Sequence, residues 1–148
     1  MRFMSECDSE LIAVYLAEKM RNGASLELSS DGKTIVVSSD SYDGDGTDRG
    51  RVKVYQLINN NTSWTQLGGN IDGLANDDYF GYSLSISGDG KVIAIGADYV
   101  DNSGNTNVGA VYVKKYTSLG WVDNGSIILG EAAADTFGGS ISLSKDGN

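Results

Sequence analysis

Histidine is absent from the 148 residues of this chain, and cysteine occurs once, as Cys7. Without histidine there is neither the commonest general base nor the commonest transition-metal ligand. No Ser-His or Cys-His nucleophilic pair can form. A single cysteine excludes a disulfide framework or a cysteine metal site within one chain. Basic residues are also scarce, with 11 Lys and Arg against 20 Asp and Glu and a net charge of −9. That balance disfavours nucleic acid and anionic membrane as direct partners, since both require a basic surface. No stretch reaches the ~18 apolar residues of a membrane span, so no direct membrane insertion is expected. The segment Met1–Asp8 has no apolar run behind a basic one, and no secretion signal is expected from it. No glycine-rich phosphate loop stands between a strand and a helix.

What the chain has in abundance is repetition. Ser25-Leu26-Glu27-Leu28-Ser29-Ser30-Asp31-Gly32-Lys33 returns 58 residues later as Ser83-Leu84-Ser85-Ile86-Ser87-Gly88-Asp89-Gly90-Lys91. It returns again 57 residues on as Ser140-Ile141-Ser142-Leu143-Ser144-Lys145-Asp146-Gly147-Asn148. A period of this length marks a modular array in which each unit buries its apolar face against its neighbours. The units divide as a non-repeat leader over 1–22, repeat 1 over 23–80, repeat 2 over 81–137, and the start of a third repeat over 138–148, truncated inside its Asp-Gly turn. A boundary inside a turn suggests a piece of a longer array.

In the leader, Ser5–Asp8 resembles a capping box with Asp for Glu, and Gly23 offers a stop. The apolar residues between them suit a short helix, with a strand over Leu11–Leu16 or an irregular leader as alternatives. The repeat itself runs in four beats. Tyr82–Ser87 alternates strictly, the period of a strand. Gly88-Asp89-Gly90 follows as a turn. Val92–Ile95, matched by Thr34–Val37, is an unbroken β-branched run of the kind buried on both faces. After a long polar loop, a third strand starts at Gly109, matched by Gly50, and a fourth near Trp121, matched by Trp64. Four strands per unit predict an all-β fold: a partial β-propeller of about two four-stranded antiparallel blades plus the first strand of a third. Small residues such as Gly81, Ser83 and Ser85 suit an inner strand near the axis, and Trp64 and Trp121 suit packing between blades.

Phe80-Gly81-x-Ser83, Ser87-Gly88-Asp89-Gly90-Lys91, Ile95-Gly96-Ala97 and Gly109-Ala110-Val111-Tyr112-Val113 together resemble the FG-GAP repeat. That repeat builds the seven-bladed propeller of integrin α-chains and of many bacterial, algal and viral surface proteins. Trp64-Thr65-Gln66-Leu67-Gly68 is similar to an element of the bacterial variant. The resemblance covers residues 23–148. It implies an extracellular or cell-surface module for recognition or adhesion. The chain departs from the pattern in three ways. The Gly-Ala-Pro element reads Gly96-Ala97-Asp98 and Ser38-Ser39-Asp40, in a chain without proline. Asn22-Gly23 stands for the first Phe-Gly. The calcium loop that integrin-type repeats often carry between their first two strands is replaced by a short Asp-Gly-Lys turn. One Asp beside a Lys cannot supply the ~6–8 oxygen ligands of calcium.

The loop Asp40–Asp48 is the main candidate for metal. Asp43, Asp45 and Gly46 resemble part of an EF-hand loop, but Ser41 and Arg49 fill ligand positions and the bidentate Glu is missing. A weak calcium site on Asp43, Asp45 and Asp48 therefore stands beside the plainer reading of a solvated loop, and no other cofactor is expected. As binding elements the two polar loops offer Asp40, Tyr42, Asp43, Asp45 and Asp48 in one copy, and Asp98, Tyr99, Asp101 and Asn105 in the other. Asp77, Asp78 and Asp135 precede the Phe-Gly strands and read as turn caps, with acid–base hydrolysis as the sharper alternative. Asn60, Asn61 and Asn124 lie in glycosylation sequons. The leading expectation is a non-enzymatic module for an unidentified protein or glycan ligand. The alternatives are a structural fragment of a longer repeat protein, or a unit that closes a ring as a homo-oligomer, with a hydrolase behind both.

Overall fold

A computed structural model describes residues 25–60 and 62–148. The helix expected within 1–22 and the Asn61 sequon lie outside the described residues. Within them the fold is all-β, in two five-stranded antiparallel sheets. Blade 1 holds β1 (Leu26–Leu28), β2 (Thr34–Ser39), β3 (Arg51–Ile58), β4 (Ser63–Gln66) and β5 (Ile71–Asp72). Blade 2 holds β6 (Ser83–Ile86), β7 (Val92–Ala97), β8 (Ala110–Thr117), β9 (Gly120–Asp123) and β10 (Ile128–Leu129). The four expected strands of each blade are present. Each blade adds a two-residue strand, β5 or β10, paired with the first two residues of β3 or β8, whereas β4 or β9 pairs with the last four. The arrangement is that of two adjacent propeller blades.

The second strand of each blade is buried along its whole length, as its β-branched run demands. Its alternate side chains serve opposite faces. Val36 enters the cluster between the blades, with Val52, Val54, Ile71, Ile93 and Ile95. Ile35 and Val37 instead pack with Leu26, Leu28, Tyr55 and Trp64 on the outer face of blade 1. Trp121 joins the interblade cluster, and its Nε1–H donates to the Leu67 carbonyl across the interface at 2.8 Å. It is the expected blade-to-blade anchor.

The Asp-Gly turns repeat their hydrogen bonds as well as their sequence. Ser29 Oγ donates to Asp31 Oδ1 at 2.7 Å and accepts from Thr34 N at 2.9 Å. Ser87 does the same with Asp89 and Val92, at the same distances. In the third copy Ser144 Oγ donates to Asp146 Oδ1 at 2.7 Å. That copy forms its turn but no strand ladder, because the strand that pairs with the alternating segment follows this turn in both other copies.

The glycine ahead of each third strand has a purpose that no single repeat reveals. Gly50 has φ +81°, and a Cβ there would lie 1.9 Å from the Phe80 carbonyl oxygen. Its N–H donates to Tyr42 O and its carbonyl accepts from Gly73 N, both at 3.0 Å. Thus the Phe-Gly segment that opens blade 2 is seated against the backbone of blade 1. Gly109 repeats the arrangement against Phe137. A side chain at this position is strained and also clashes with backbone. Gly50→Ala is expected to lower unfolding stability by about 3 kcal/mol in urea titration.

Candidate functional site

Both long loops emerge at one end of the sheets and are tied to the segment joining the blades. Asp77 N–H donates to Thr47 O at 2.9 Å and Tyr79 N–H to Asp48 O at 3.1 Å. One repeat on, Ala134 N–H and Thr136 N–H reach Thr106 O and Asn107 O at 2.9 and 3.1 Å. These four donors sit at positive φ, between 47° and 63°, where non-glycine residues are rare. The backbone bonds over-determine that conformation in both copies, so the strain belongs to the scaffold and recurs with Ala134 and Thr136 as readily as with Asp77 and Tyr79.

In the first loop, Tyr42, Asp43, Asp45, Arg49, Arg51 and Asp72 line a pocket of about 260 Å³. Arg51 spans it. The guanidinium lies 3.9 Å from the Tyr42 ring centroid, and its Nη2 donates to Asp72 Oδ2 at 2.8 Å. Asp43 Oδ1 accepts from Asp48 N–H at 3.2 Å, and Asp48 Oδ2 from the Tyr79 hydroxyl at 3.2 Å. Two of the three carboxylates considered for calcium are therefore engaged in holding the loop. Among the described residues no group of three or more His, Cys, Asp or Glu is placed to hold a metal ion. Asp43 and Asp48 thus close the loop, and Arg49 and Arg51 stand beside them.

In the second loop, Asp101 Oδ1 accepts from Asn107 N–H at 2.8 Å, and Asn102 and Asn105 exchange backbone bonds at 2.9 Å. Tyr99 is exposed and meets Tyr79 with ring centroids 5.1 Å apart. This pair joins the second loop to the segment between blades. Tyr79 and the exposed Tyr82 complete the surface, and sequence reasoning had passed over both. Their signal lay in the tyrosines flanking Phe80-Gly81.

Asp40 and Asp98 stand apart from the other candidates. Each directly follows a second strand and is buried, Asp98 to 5% exposure. Asp40 Oδ1 accepts from Ser41 Oγ at 3.1 Å, whereas Asp98 Oδ1 has no hydrogen-bond partner. Burial pushes both carboxyls above their usual range, and for Asp98 the charge of Asp40 adds to the effect. Asp78 is also raised, first by burial and then by Asp101, although the Ala75 N–H opposes this. Its counterpart Asp135 caps two donors, Glu131 N–H at 3.0 Å and Ala132 N–H at 2.7 Å. Of the turn caps expected at Asp77, Asp78 and Asp135, the one at Asp135 is visible in the geometry.

A carboxyl whose folded-state pKa lies above its unfolded value holds its proton longer in the folded chain. Its contribution favours folding below the unfolded pKa and is lost as pH rises through the folded pKa. Asp98→Asn, which removes the buried charge, is expected to raise unfolding stability at neutral pH by about 1 kcal/mol. Chemical denaturation across pH checks this, with the gain shrinking in acid.

Residues 71–114 match the family model described as FG-GAP repeat. The match opens at β5, takes in the Phe80-Gly81 segment and the buried β7, and ends within β8. A search of curated proteins finds no match to the chain. The segment that enters blade 2 from blade 1, with its turn, its buried strand and its glycine-led third strand, is thus the part of the chain that is similar to the FG-GAP repeat.

Proposed function

We propose that the chain is a non-enzymatic recognition module of a surface or extracellular protein, engaging a protein or glycan through the loops at one end of its blades. The observation that carries this reading is the continuous surface formed by the two long loops and the segment between blades. It presents exposed Asp43, Asp45, Tyr82, Tyr99, Asp101 and Asn105 on a backbone fixed by interloop hydrogen bonds. Tyrosine supplies broad contact area at low entropic cost, and carboxylate and amide groups supply orientation. The Asp135 carboxylate serves two backbone donors, which favours a scaffold role over catalysis for this repeated position.

Deleting the loops would be a poor test, because Tyr42 O and Thr47 O accept backbone bonds that hold the fold. Point substitutions of outward side chains are better. The intact chain, displayed on arrays of glycans and cell-surface proteins, is expected to give a specific ligand. The double variant Asp45→Ala, Tyr99→Ala should weaken its Kd about tenfold or more with an unchanged circular dichroism spectrum. Equal binding by the variant, or no binding by the intact chain, would contradict the proposal.

A further inference from the structure

A second cavity of about 260 Å³ lies at the junction of the two blades. Blade 1 and the joining segment supply Asp72, Leu74 and Phe80, and blade 2 supplies Tyr112, Lys114, Asp123 and Ile127. Asp72 also lines the pocket of the first loop. None of Asp43, Asp45, Tyr82, Tyr99, Asp101 or Asn105 lines the junction cavity, which thus stands apart from the loop surface.

One side of the cavity is apolar. Phe80 and Tyr112 belong to the interblade cluster and meet edge to face, with ring centroids 5.1 Å apart. Leu74 and Ile127 are 70% and 45% exposed. A single exposed aliphatic side chain is ordinary, but two of them lining one cavity with two aromatic rings form a wall for the apolar face of a ligand. The exposure of Ile127 is a property of its position. Asn70 stands there one repeat back and is exposed with blade 2 beside it.

The charged groups beside the cavity are already paired. Arg51 Nη2 donates to Asp72 Oδ2 at 2.8 Å, and Lys114 Nζ donates to Asp123 Oδ1 at 2.6 Å. The two pairs sum to no net charge, so an ionic ligand would lose hydration without a free counter-charge to receive it. A neutral ligand with hydroxyl groups suits them better. An ammonium offers donors, a carboxylate keeps acceptor sites beyond those in use, and a phenol can do both. Tyr112 is 6% exposed. Burial, and then the charges of Asp78 and Asp123, push its ionisation above the usual range, so its hydroxyl keeps its proton.

We propose that this cavity binds one neutral pyranose ring of a glycan. A pyranose carries a face of C–H groups and an edge of hydroxyls, which matches an apolar wall with a few polar groups set around it. The C–H face lies against Leu74 and Ile127. The hydroxyls meet the Tyr112 hydroxyl, Lys114 Nζ and Asp123 Oδ2, the oxygen that Lys114 leaves free. The volume falls just below the range of about 300–1,000 Å³ for drug-sized ligands, so a single ring fills it. Binding here does not require a ligand on the loop surface.

Titration of the isotope-labelled full chain with the methyl glycosides of glucose, galactose, mannose, fucose and N-acetylglucosamine, followed by NMR, tests the proposal. At least one should give saturable shifts at the amides of Tyr112, Lys114 and Asp123, with a Kd of about 1 mM for a ligand of roughly a dozen heavy atoms. Tyr112→Phe, which removes only the hydroxyl, should weaken that Kd about tenfold, and Leu74→Ser, at an exposed position, about threefold or more. Should Tyr112→Phe alter the circular dichroism spectrum, Leu74→Ser alone decides. Methyl glucuronide and the methyl glycoside of glucosamine, one anionic and one cationic, should bind no more tightly than the neutral sugars. The absence of saturable shifts with all five neutral glycosides overturns the proposal. So does tighter binding of either charged sugar, or a Kd that a folded variant leaves unchanged. Shifts confined to loop residues such as Tyr99 and Asn105 also overturn it, and would put the sugar on the loop surface instead.

Discussion

Neither sheet of this molecule can bury its own apolar residues. Each second strand, β2 and β7, is covered on both faces, and alternation along it sends neighbouring side chains to opposite sides of the blade. Val36 and Ile35 illustrate the consequence, one committed to the interblade cluster and the other to the outer face. The stacking of blade on blade is therefore the condition for either sheet to exist in water. Everything else, including the loop surface, is positioned by it.

Short polar devices fix the angle at which the blades meet. Ser38 Oγ donates to the Gly81 carbonyl at 2.6 Å, tying β2 to the Phe-Gly segment of the next blade. One repeat on, position 96 is glycine, and a Cβ there would fall 2.0 Å from the Gly138 carbonyl oxygen. The Gly138 carbonyl accepts instead from Ser83 Oγ on the adjacent strand, also at 2.6 Å. The repeated carbonyl keeps a hydroxyl donor although the donating residue changes. The requirement is on the acceptor, because a buried backbone carbonyl needs a partner whichever side chain supplies it.

The elements readable from sequence are those whose signal lies within one repeat. The β-branched runs Thr34–Val37 and Val92–Ile95 announced the buried strands, and Ser-x-Asp-Gly announced the turns. The two tryptophans, one repeat apart, announced an anchor, and Trp121 is one. Two-residue strands such as Ile71–Asp72 are too short to show a period, and they form because β3 and β8 extend far enough to pair twice. The candidate site was harder to read because its parts come from different repeats. Tyr79 meets Tyr99 across a loop boundary, and Tyr42 lies beneath an arginine of β3. Counting carboxylates placed Asp40 and Asp98 with the other loop residues, although each is buried where it leaves a buried strand. It also could not show that Asp43 and Asp48 already had partners.

The central claim is that the two blades form one cooperative unit through the interblade cluster. Native-state hydrogen exchange of the amides in β2 and β7 tests it most directly. In the intact chain both strands should open with the same free energy. Trp121→Ala, which removes the indole from blade 2 and its bond to Leu67 from blade 1, should lower protection of both strands by an equal amount. Loss of protection in β7 alone, with β2 unchanged, would mean that blade 1 stands without its neighbour and would contradict the account.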